Sequence, residues 1–443
     1  MDNGADYPLI SNTMIFSSHF PFWHLLCNGV GVLALVVPAF ALEPRTWISL
    51  DGRTIDAELI KVEGDIVELK NKENTILKLP KLSLSFGDLD YIAEFAPEEK
   101  KNPFAKPAAK AKLPNPAKEM KFVSKNVKKD TGEIKLGAVT FRVAESPRFK
   151  ILYSKGVDPG DTAELAERLW HDTAFFHSTF AAKFKSHRHA IILAEADVDF
   201  PEVGEWYAEL LNAAGNTKQA AAITEVWKKT SASSVGLPAD MAEANGLLTE
   251  ATVIRLAGRS GKTPGGDTGK GVWGSFRTHV IAGDLMGIAA GGVAGFAKDG
   301  QFMIFTGHSY FKEIDLTGAS ATGIFNKDTA KKTTASGGYD TGRNWAGELK
   351  SRIRKKDVKP NLSALFGSSI DDAKADDLAL AYSFSRFLQS TPERHTAYSK
   401  LLQRIDTSNQ VPDLDAFAKI FGLENAAALE TAWLDYVNSG DFR

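Results

Sequence analysis

Cysteine is almost absent from this chain of 443 residues, because the single cysteine is Cys27, inside an apolar run near the N-terminus. One cysteine cannot build a disulfide framework or a cysteine-based zinc site. An excess of either charge is also missing, since 53 Lys and Arg face 55 Asp and Glu, for a net charge of -2. The chain therefore lacks the electrostatic signature of a protein that binds nucleic acid or an anionic membrane.

The composition that remains is that of an ordinary soluble globular protein, with 43% hydrophobic and 24% charged residues. A chain of this length is long enough for two or three domains.

An apolar run over residues 25–41 ends in Ala39-Phe40-Ala41, the small-residue pattern of a signal-peptidase site. We therefore predict a signal peptide over residues 1–41, cleavage after Ala41, and export to the periplasm or the cell surface. Two alternatives stay open. From Phe20 the run is long enough to act as an uncleaved membrane anchor, and Met14 is a second possible start.

The region 42–96 has the pattern of a small β-rich module. Apolar and polar residues alternate in short runs, separated by turns at Asp51-Gly52, at Glu63-Gly64-Asp65 and at residues 71–74. A period of two indicates half-buried strands. Short strands at this spacing predict a small β-barrel.

Several motifs of this module occur in a recognisable order: Arg45-Thr46-Trp47, Asp51-Gly52-Arg53-Thr54, Ala57-Glu58 and Leu79-Pro80-Lys81-Leu82-Ser83, followed by Asp88 and Tyr91. With these motifs the module resembles the first homology domain of the yeast Sla actin-assembly adaptor, a Src-homology-type β-barrel. The resemblance implies a protein or peptide ligand, with cytoskeletal-protein binding and ubiquitin binding as functions of that family.

The same resemblance implies a protein-binding surface formed by Trp47, Asp51, Arg53 and Glu58. Trp47 is equally compatible with a place in the core. A module that serves only as a structural spacer is the alternative.

Residues 97–119 are predicted to be a flexible linker, because the segment is rich in lysine, proline and alanine. Such a composition keeps a chain extended and cannot bury a core.

Residues 120–443 are predicted to form one larger α+β domain with a mixed sheet and C-terminal helices. Apolar periodicity predicts strands at 139–143, 149–153 and 190–193, a helix from Asp161 and another over 206–227, and loops at 231–246, 258–271 and 317–342. The apolar faces of the last hundred residues predict a helical bundle.

Gly261-Lys262-Thr263 in one of these loops is a fragment of a phosphate-binding motif. That motif needs a glycine five residues earlier, where this chain has Leu256. No clear strand is predicted to run directly into the loop. We therefore expect no nucleotide to bind there.

The segment Thr278–Asp284, followed by Phe296–Phe302, resembles the zinc-binding core of the peptidase MA-like (gluzincin) metallopeptidases, which is His-Glu-x-x-His on one helix and a downstream Glu. His279 stands at the first ligand position. Val280 replaces the general base, Gly283 replaces the second histidine, and Asp299 stands where the third ligand belongs.

In that family the two histidines lie four residues apart, so that both reach one zinc ion, and the Glu between them takes a proton from the zinc-bound water. A catalytic zinc site uses three protein ligands. We therefore predict a degenerate site with no catalytic residue, no metal and no cofactor. His308 or Glu313 as a substitute ligand is the alternative.

Glycine recurs every four residues at Gly283, Gly287, Gly291 and Gly295. Because glycine weakens a helix, this stripe predicts either close packing against another backbone or an interrupted helix.

Three functions follow from these patterns. The first is an exported, non-catalytic binding or adaptor protein, with a binding barrel joined to a pseudo-metallopeptidase domain. The second is an active zinc-dependent peptidase or hydrolase with a rearranged site around His279, Asp284, Asp299 and His308, which three converging nitrogen or oxygen groups would favour. The third is a cell-surface structural protein, which a large apolar surface patch would favour.

Overall fold

The computed structural model describes residues 44–95, 113–195, 197–228, 232–256, 272–292, 298–320, 344–370 and 372–443, with residues 230, 322, 324–326 and 331–333. The predicted signal peptide and most of the predicted linker lie outside these residues. Within the described ranges, no helix combines the length and apolarity needed to cross a membrane.

The described residues form twelve strands: β1 Arg45–Ile48, β2 Thr54–Glu63, β3 Ile66–Asn71, β4 Ile76–Pro80, β5 Lys128–Leu136, β6 Val139–Glu145, β7 Phe149–Tyr153, β8 Arg188–Glu195, β9 Ala232–Gly236, β10 Leu247–Leu256, β11 Ile324–Asn326 and β12 Lys331–Thr333. The helices are α1 Phe86–Phe95, α2 Pro116–Glu119, α3 Gly160–Phe176, α4 Asp199–Ala213, α5 Thr217–Trp227, α6 Ala239–Ala244, α7 Ser275–Ala289, α8 Gly307–Thr317, α9 Trp345–Lys355, α10 Leu362–Gly367, α11 Ala375–Leu388, α12 Pro392–Ser408, α13 Leu414–Ile420 and α14 Ala426–Asn438. A π-helical turn, Phe302–Thr306, precedes α8.

The small module (residues 44–95) is a four-stranded antiparallel sheet in the order β1-β2-β3-β4, followed by α1. The strands and turns agree with the predicted pattern. Beyond β4, the chain returns to the free edge of β1, where Leu50 N donates to Ser83 O at 2.8 Å and Ser85 N donates to Ile48 O at 2.9 Å. No closed barrel is found among the described residues, so the structure supports a small antiparallel sheet and leaves the barrel a prediction.

One buried carboxylate, that of Asp88, links separate elements in the core of the small module. Asp88 of α1 accepts hydrogen bonds from Ile48 N at 2.9 Å and from Ser85 Oγ at 2.7 Å, and pairs with Arg45 at 3.0 Å. Burial raises the pKa of Asp88, and these hydrogen bonds and the charge of Arg45 oppose that effect. Arg45 also lies 4.4 Å from the centroid of the Tyr91 ring. The last helix of the module is thereby tied to its first strand.

The predicted linker ends earlier than residue 119. Pro116–Glu119 form the short helix α2, which Asn115 caps by accepting a hydrogen bond from Lys118 N at 3.1 Å. Ala117 is fully buried against α3. Composition suggested an extended segment here, but an Asn cap followed by proline at the first helical position is a helix start.

The larger sheet has six strands in the order β5-β6-β7-β8-β10-β9. Strands β7, β8 and β10 are parallel, whereas β5, β6 and β9 pair antiparallel at the two sides. Helices α4 and α5 cover one face, and α3, α7 and α8 belong to the core on the other face. The predicted α+β class with a mixed sheet and C-terminal helices is confirmed at this level.

Two details of the larger domain differ from prediction. The predicted helix 206–227 is two helices, α4 and α5, because Gly215 adopts a φ of +81° between them. The predicted loop 231–246 contains β9 and α6, since β10 supplies hydrogen-bonding partners for a strand that the sequence pattern alone does not indicate.

The helix that carries His279 is α7, which packs between α3 and α8, while α8 packs in turn on α11. A Cβ atom at Gly283 would lie 2.6 Å from Ser309 Oγ of α8, so this glycine permits the close approach of the two helices. Gly291 has a φ of +77° beyond the end of α7. Both predicted consequences of the glycine stripe are thus present, whereas Gly295 lies outside the described residues.

Candidate functional site

His279 and Glu313, which are far apart in sequence, meet between α7 and α8. The Nδ1 atom of His279 lies 3.0 Å from Glu313 Oε2. The Glu313 side chain is fully buried, and the imidazole is 14% exposed. A carboxylate beside Nδ1 fixes the ring in the tautomer that carries a proton on Nδ1.

The carboxylate of Glu313 accepts hydrogen bonds from several donors of the protein. Its Oε1 atom accepts from Ser275 Oγ, from Thr322 N at 3.2 Å and from Thr322 Oγ1 at 3.0 Å. Its Oε2 atom accepts from Ser320 Oγ at 3.0 Å as well as from His279. An ionised carboxylate offers about four lone-pair sites. With five donors around it, Glu313 acts as a structural acceptor that joins α7, α8 and the segment after α8.

The other residues considered as metal ligands do not join His279. Asp299 is exposed in a turn with a φ of +58°, before the π-helical turn. His308 is buried and accepts a hydrogen bond from Gln389 Nε2 at 3.2 Å. Asp284 faces the sheet, where Ser234 Oγ donates to it at 3.1 Å and Thr252 Oγ1 also donates. Glu313, of the predicted alternatives, is the one that the fold brings to His279.

Within the described part of the chain, no group of three or more His, Cys, Asp or Glu side chains is placed to hold a metal ion. The converging nitrogen and oxygen groups that would favour a rearranged peptidase site are therefore not found among those residues. The helix and its first histidine are present, and Val280 lies half-buried against the core.

The four residues predicted to bind protein are spread over different surfaces of the small module. Trp47 is 1% exposed, and its Nε1 atom donates to Ala57 O at 2.8 Å, so it is a core residue. Glu58 pairs with Lys70 in the register of β2 and β3, on the outward face of the sheet. Asp51 and Arg53 lie together in the turn between β1 and β2. The structure does not bring the four residues into one site.

The Asp51–Arg53 turn forms one wall of an open groove of about 470 Å³. The opposite side is formed by segments of the larger domain: Met120, Lys121, Phe122, Asn126, Pro147 and Arg148. The two walls are joined by a hydrogen bond from Lys121 N to Asp51 O of 3.3 Å. The groove therefore exists only where the small module meets the larger domain, and sequence analysis of either part alone does not find it.

Three positive side chains line the groove, and two of them are paired with carboxylates. Arg53 has a side chain that is 80% exposed and pairs with Asp51 at 2.9 Å. Although burial acts in the opposite direction, hydrogen bonds from Ser49 and Arg53 lower the pKa of Asp51 to about 2. Lys121 is exposed. The Arg148 guanidinium lies 4.0 Å from the centroid of the Trp170 ring and pairs with Glu167 at 3.2 Å.

Sequence reasoning missed a second feature, a cluster of buried histidines. His177, His308 and His395 come from three separate parts of the chain, yet all are nearly fully buried around Lys312 and Tyr398. The sequence offers little signal for this cluster: histidines are frequent between residues 171 and 189, but His308 and His395 are isolated in the sequence, and no fixed spacing connects residues brought together by three helices.

Comparisons of the chain with protein-family models, with curated proteins and with solved structures returned no match.

Proposed function

We propose that this protein is an exported, non-catalytic binding or adaptor protein that holds a protein or peptide segment in the groove between the small module and the larger domain. The proposal includes a Src-homology-type barrel as the fold of the small module and a degenerate metallopeptidase scaffold as that of the larger domain. One observation carries it: the groove combines the Asp51–Arg53 turn, which the sequence marks as a binding element, with a wall from the larger domain that presents the exposed Lys121.

The chemistry of the groove indicates the kind of ligand. Arg53 and Lys121 offer exposed positive charge, and the groove is also lined by the exposed Pro147 and by the largely buried Met120 and Phe122. A polar rim around an apolar floor is the usual composition of a protein-binding surface. An extended segment with acidic side chains would complement this charge.

The five hydrogen bonds that the Glu313 carboxylate accepts support the non-catalytic part of the proposal. A metal ion bound by Glu313 itself would have to displace several of its donors, and each buried donor left without an acceptor costs about 1–3 kcal/mol. The cell-surface structural role has less support, because the exposed isoleucines on the outer face of the sheet, Ile66 and Ile76, stand among charged residues such as Glu68 and Lys78.

A peptide library displayed on phage, panned against the purified chain, tests the proposal. We expect fluorescence anisotropy to show that the enriched peptides bind the chain. The double variant Arg53→Ala with Lys121→Ala should weaken their binding at least about tenfold, because it removes two exposed charge contacts. The matched control is Lys61→Ala with Lys78→Ala, which removes two exposed lysines from the same module outside the groove. Failure to enrich any peptide, or equal weakening by both double variants, would contradict the proposal.

A further inference from the structure

The small module rests on the larger domain through a contact that contains buried histidines. Phe86 of α1 packs against Phe176, with ring centroids 5.2 Å apart, and against His395 of α12, at 5.8 Å. His395 stacks on Phe176 at 3.9 Å with an interplanar angle of 12°. A Cβ atom at Gly87 would overlap Ser178, so α1 approaches the larger domain closely here. The aromatic contact that holds α1 therefore includes an imidazole ring.

A second histidine contact fastens the turn that forms the groove. The Nε2–H of His171 in α3 donates to Leu50 O, at 3.0 Å, next to Asp51. Burial lowers the pKa of His171, although its hydrogen bond to Leu50 opposes that effect. The position of the Asp51–Arg53 turn thus depends on the same face of the larger domain that holds α1.

Behind His395 lies the charge that makes this contact sensitive to protons. Lys312 of α8 is 6% exposed and pairs with Asp172 of α3. His308 of α8 and His177, the residue after α3, complete the cluster, and their rings lie 6.4 Å and 5.7 Å from that of Tyr398 in α12. Asp172 already balances the charge of Lys312. A proton on any of these imidazoles therefore adds a positive charge that has no counter-charge within the buried cluster.

The imidazoles of the cluster are correspondingly hard to protonate. Burial, aided by the charge of Lys312, lowers the pKa of His177 to about 3. The same two causes place the pKa of His308 and that of His395 well below the ordinary value. The Nδ1 atoms of His177 and His395 have no hydrogen-bond partner within the described residues.

One more titratable group faces this region from α1. Burial raises the pKa of Asp90, and the positive charge of Lys400 on α12 opposes that effect. Because the buried carboxyl group holds its proton more tightly than an exposed one, protonation of Asp90 in acid favours the closed position of α1. Asp90 therefore opposes the effect of the histidines, and the latch depends on the histidines alone.

We propose that His177, His308 and His395 form an acid-sensitive latch, which holds α1 and the groove in place at neutral pH and releases them in acid. Once α1 has left, His395, which Phe86 of α1 covers, and any other imidazole that becomes exposed regain an ordinary pKa near 6.5, so that release takes up protons. The latch is therefore fully closed above that pH and weakens as the pH falls below it. Each histidine that gains a proton on release increases the open population about tenfold per pH unit.

The biological role of the latch rests on the proposed function, because release of α1 would dismantle the groove and free its ligand. The latch itself does not depend on a ligand. It is tested by hydrogen exchange of the α1 amides, measured by mass spectrometry on the purified chain between pH 7.5 and 5.0 and corrected for intrinsic exchange.

We expect the corrected exchange of α1 to rise about tenfold or more per pH unit below pH 6.5. The variant His395→Phe keeps the aromatic stack and should lower this slope by about tenfold per pH unit, the contribution of one histidine. The matched control His187→Gln changes a half-buried histidine that pairs with the exposed Glu243 and should keep the full slope. If His395→Phe does not fold, His177→Gln provides the same comparison.

Protection of α1 that stays constant from pH 7.5 to 5.0, or a slope that is the same in His395→Phe and in the unaltered chain, would overturn the latch. Neither result depends on whether a peptide binds. If the chain shows the expected slope but enriches no peptide, the latch stands and the binding function is refuted. If a peptide binds but the slope is absent, the binding function stands and the latch is refuted.

Discussion

Replacement of Glu313 by alanine tests the conclusion that this residue is a structural acceptor. The change leaves five donors without their acceptor. The hydroxyl groups of Ser275, Ser320 and Thr322 can rotate towards other partners, but Thr322 N–H and His279 Nδ1 cannot. At about 1–3 kcal/mol for each buried donor left unsatisfied, with a further loss for the emptied space, we expect the free energy of unfolding to fall by about 4 kcal/mol.

Glu313→Gln should cost much less, about 1–2 kcal/mol. Its amide oxygen can accept from Ser275 and Thr322, and its NH₂ group can donate to His279 Nδ1 once the imidazole proton moves to Nε2. Glu424→Ala, at an exposed glutamate, is the control and should change the stability by less than about 0.5 kcal/mol.

Equilibrium unfolding in urea measures all three variants, and an unchanged m value shows that the comparison is valid. Equal destabilisation by Glu313→Ala and Glu313→Gln would mean that the charge of the carboxylate matters more than the set of donors, because Gln keeps the volume and both variants lose the charge. An effect of Glu313→Ala no larger than that of the control would refute the reasoning, because the buried carboxylate would then hold nothing together.

Three further expectations follow. Gly307→Ala should destabilise the chain by about 2 kcal/mol or more, because the new Cβ would overlap Ala381 O of α11, whereas Gly367→Ala, with open space around it, should cost little; similar thermal shifts for both would contradict this packing. Burial raises the pKa of Asp284 to about 6, so the folded state binds the Asp284 proton more tightly than the unfolded state, and ionisation above that pH costs stability. Asp284→Asn should therefore raise Tm more at pH 8 than at pH 5. A larger rise at pH 5 would contradict this direction of the pKa shift. Plasma mass spectrometry should find well under about 0.1 equivalent of zinc both in the unaltered chain and in His279→Ala, whereas near-stoichiometric zinc that disappears in the variant would overturn the non-catalytic proposal.

The small module was the most predictable part of the fold, because its signals are local. Each strand is announced by alternation, and turns such as Asp51-Gly52 and Glu63-Gly64 contain the glycine that their positive φ requires. The burial of Trp47 was left open, since a tryptophan in a short strand has the same pattern on either face. The hydrogen bond from Trp47 to Ala57 O decides between the two, and it exists only after β1 and β2 have paired.

Strand pairing also explains why the sequence pattern fails to predict a strand before the glycine-rich loop. No clear strand was expected to run directly into it, but β10 continues to Leu256, the last described residue before the loop, and α7 begins at Ser275. Polar residues such as Thr252 interrupt the apolar pattern of β10. They are tolerated because the Thr252 hydroxyl donates to Asp284 and receives a hydrogen bond from His189 Nε2 at 2.8 Å. The mismatch at Leu256 remains the argument against a nucleotide site.

The third ligand position shows why the site was harder to predict than the fold. Asp299 occupies the place of the third ligand in the linear motif, yet the backbone there is an exposed turn. Glu313 lies on α8, and its approach to His279 depends on how closely α7 and α8 pack at Gly283. A helix–helix distance of this kind is a tertiary property, and no spacing rule within one segment contains it.

The presence of His279 without its partner ligands therefore has a structural explanation that needs no metal. Its Nδ1 atom is one of the five donors to Glu313, and its ring packs edge-on against Tyr310, with centroids 4.5 Å apart. A buried carboxylate is costly unless donors surround it, so the imidazole contributes to the stability of the α7–α8 contact. His279 thus has a structural role that does not depend on a metal, and the zinc measurement on His279→Ala separates this role from that of a ligand.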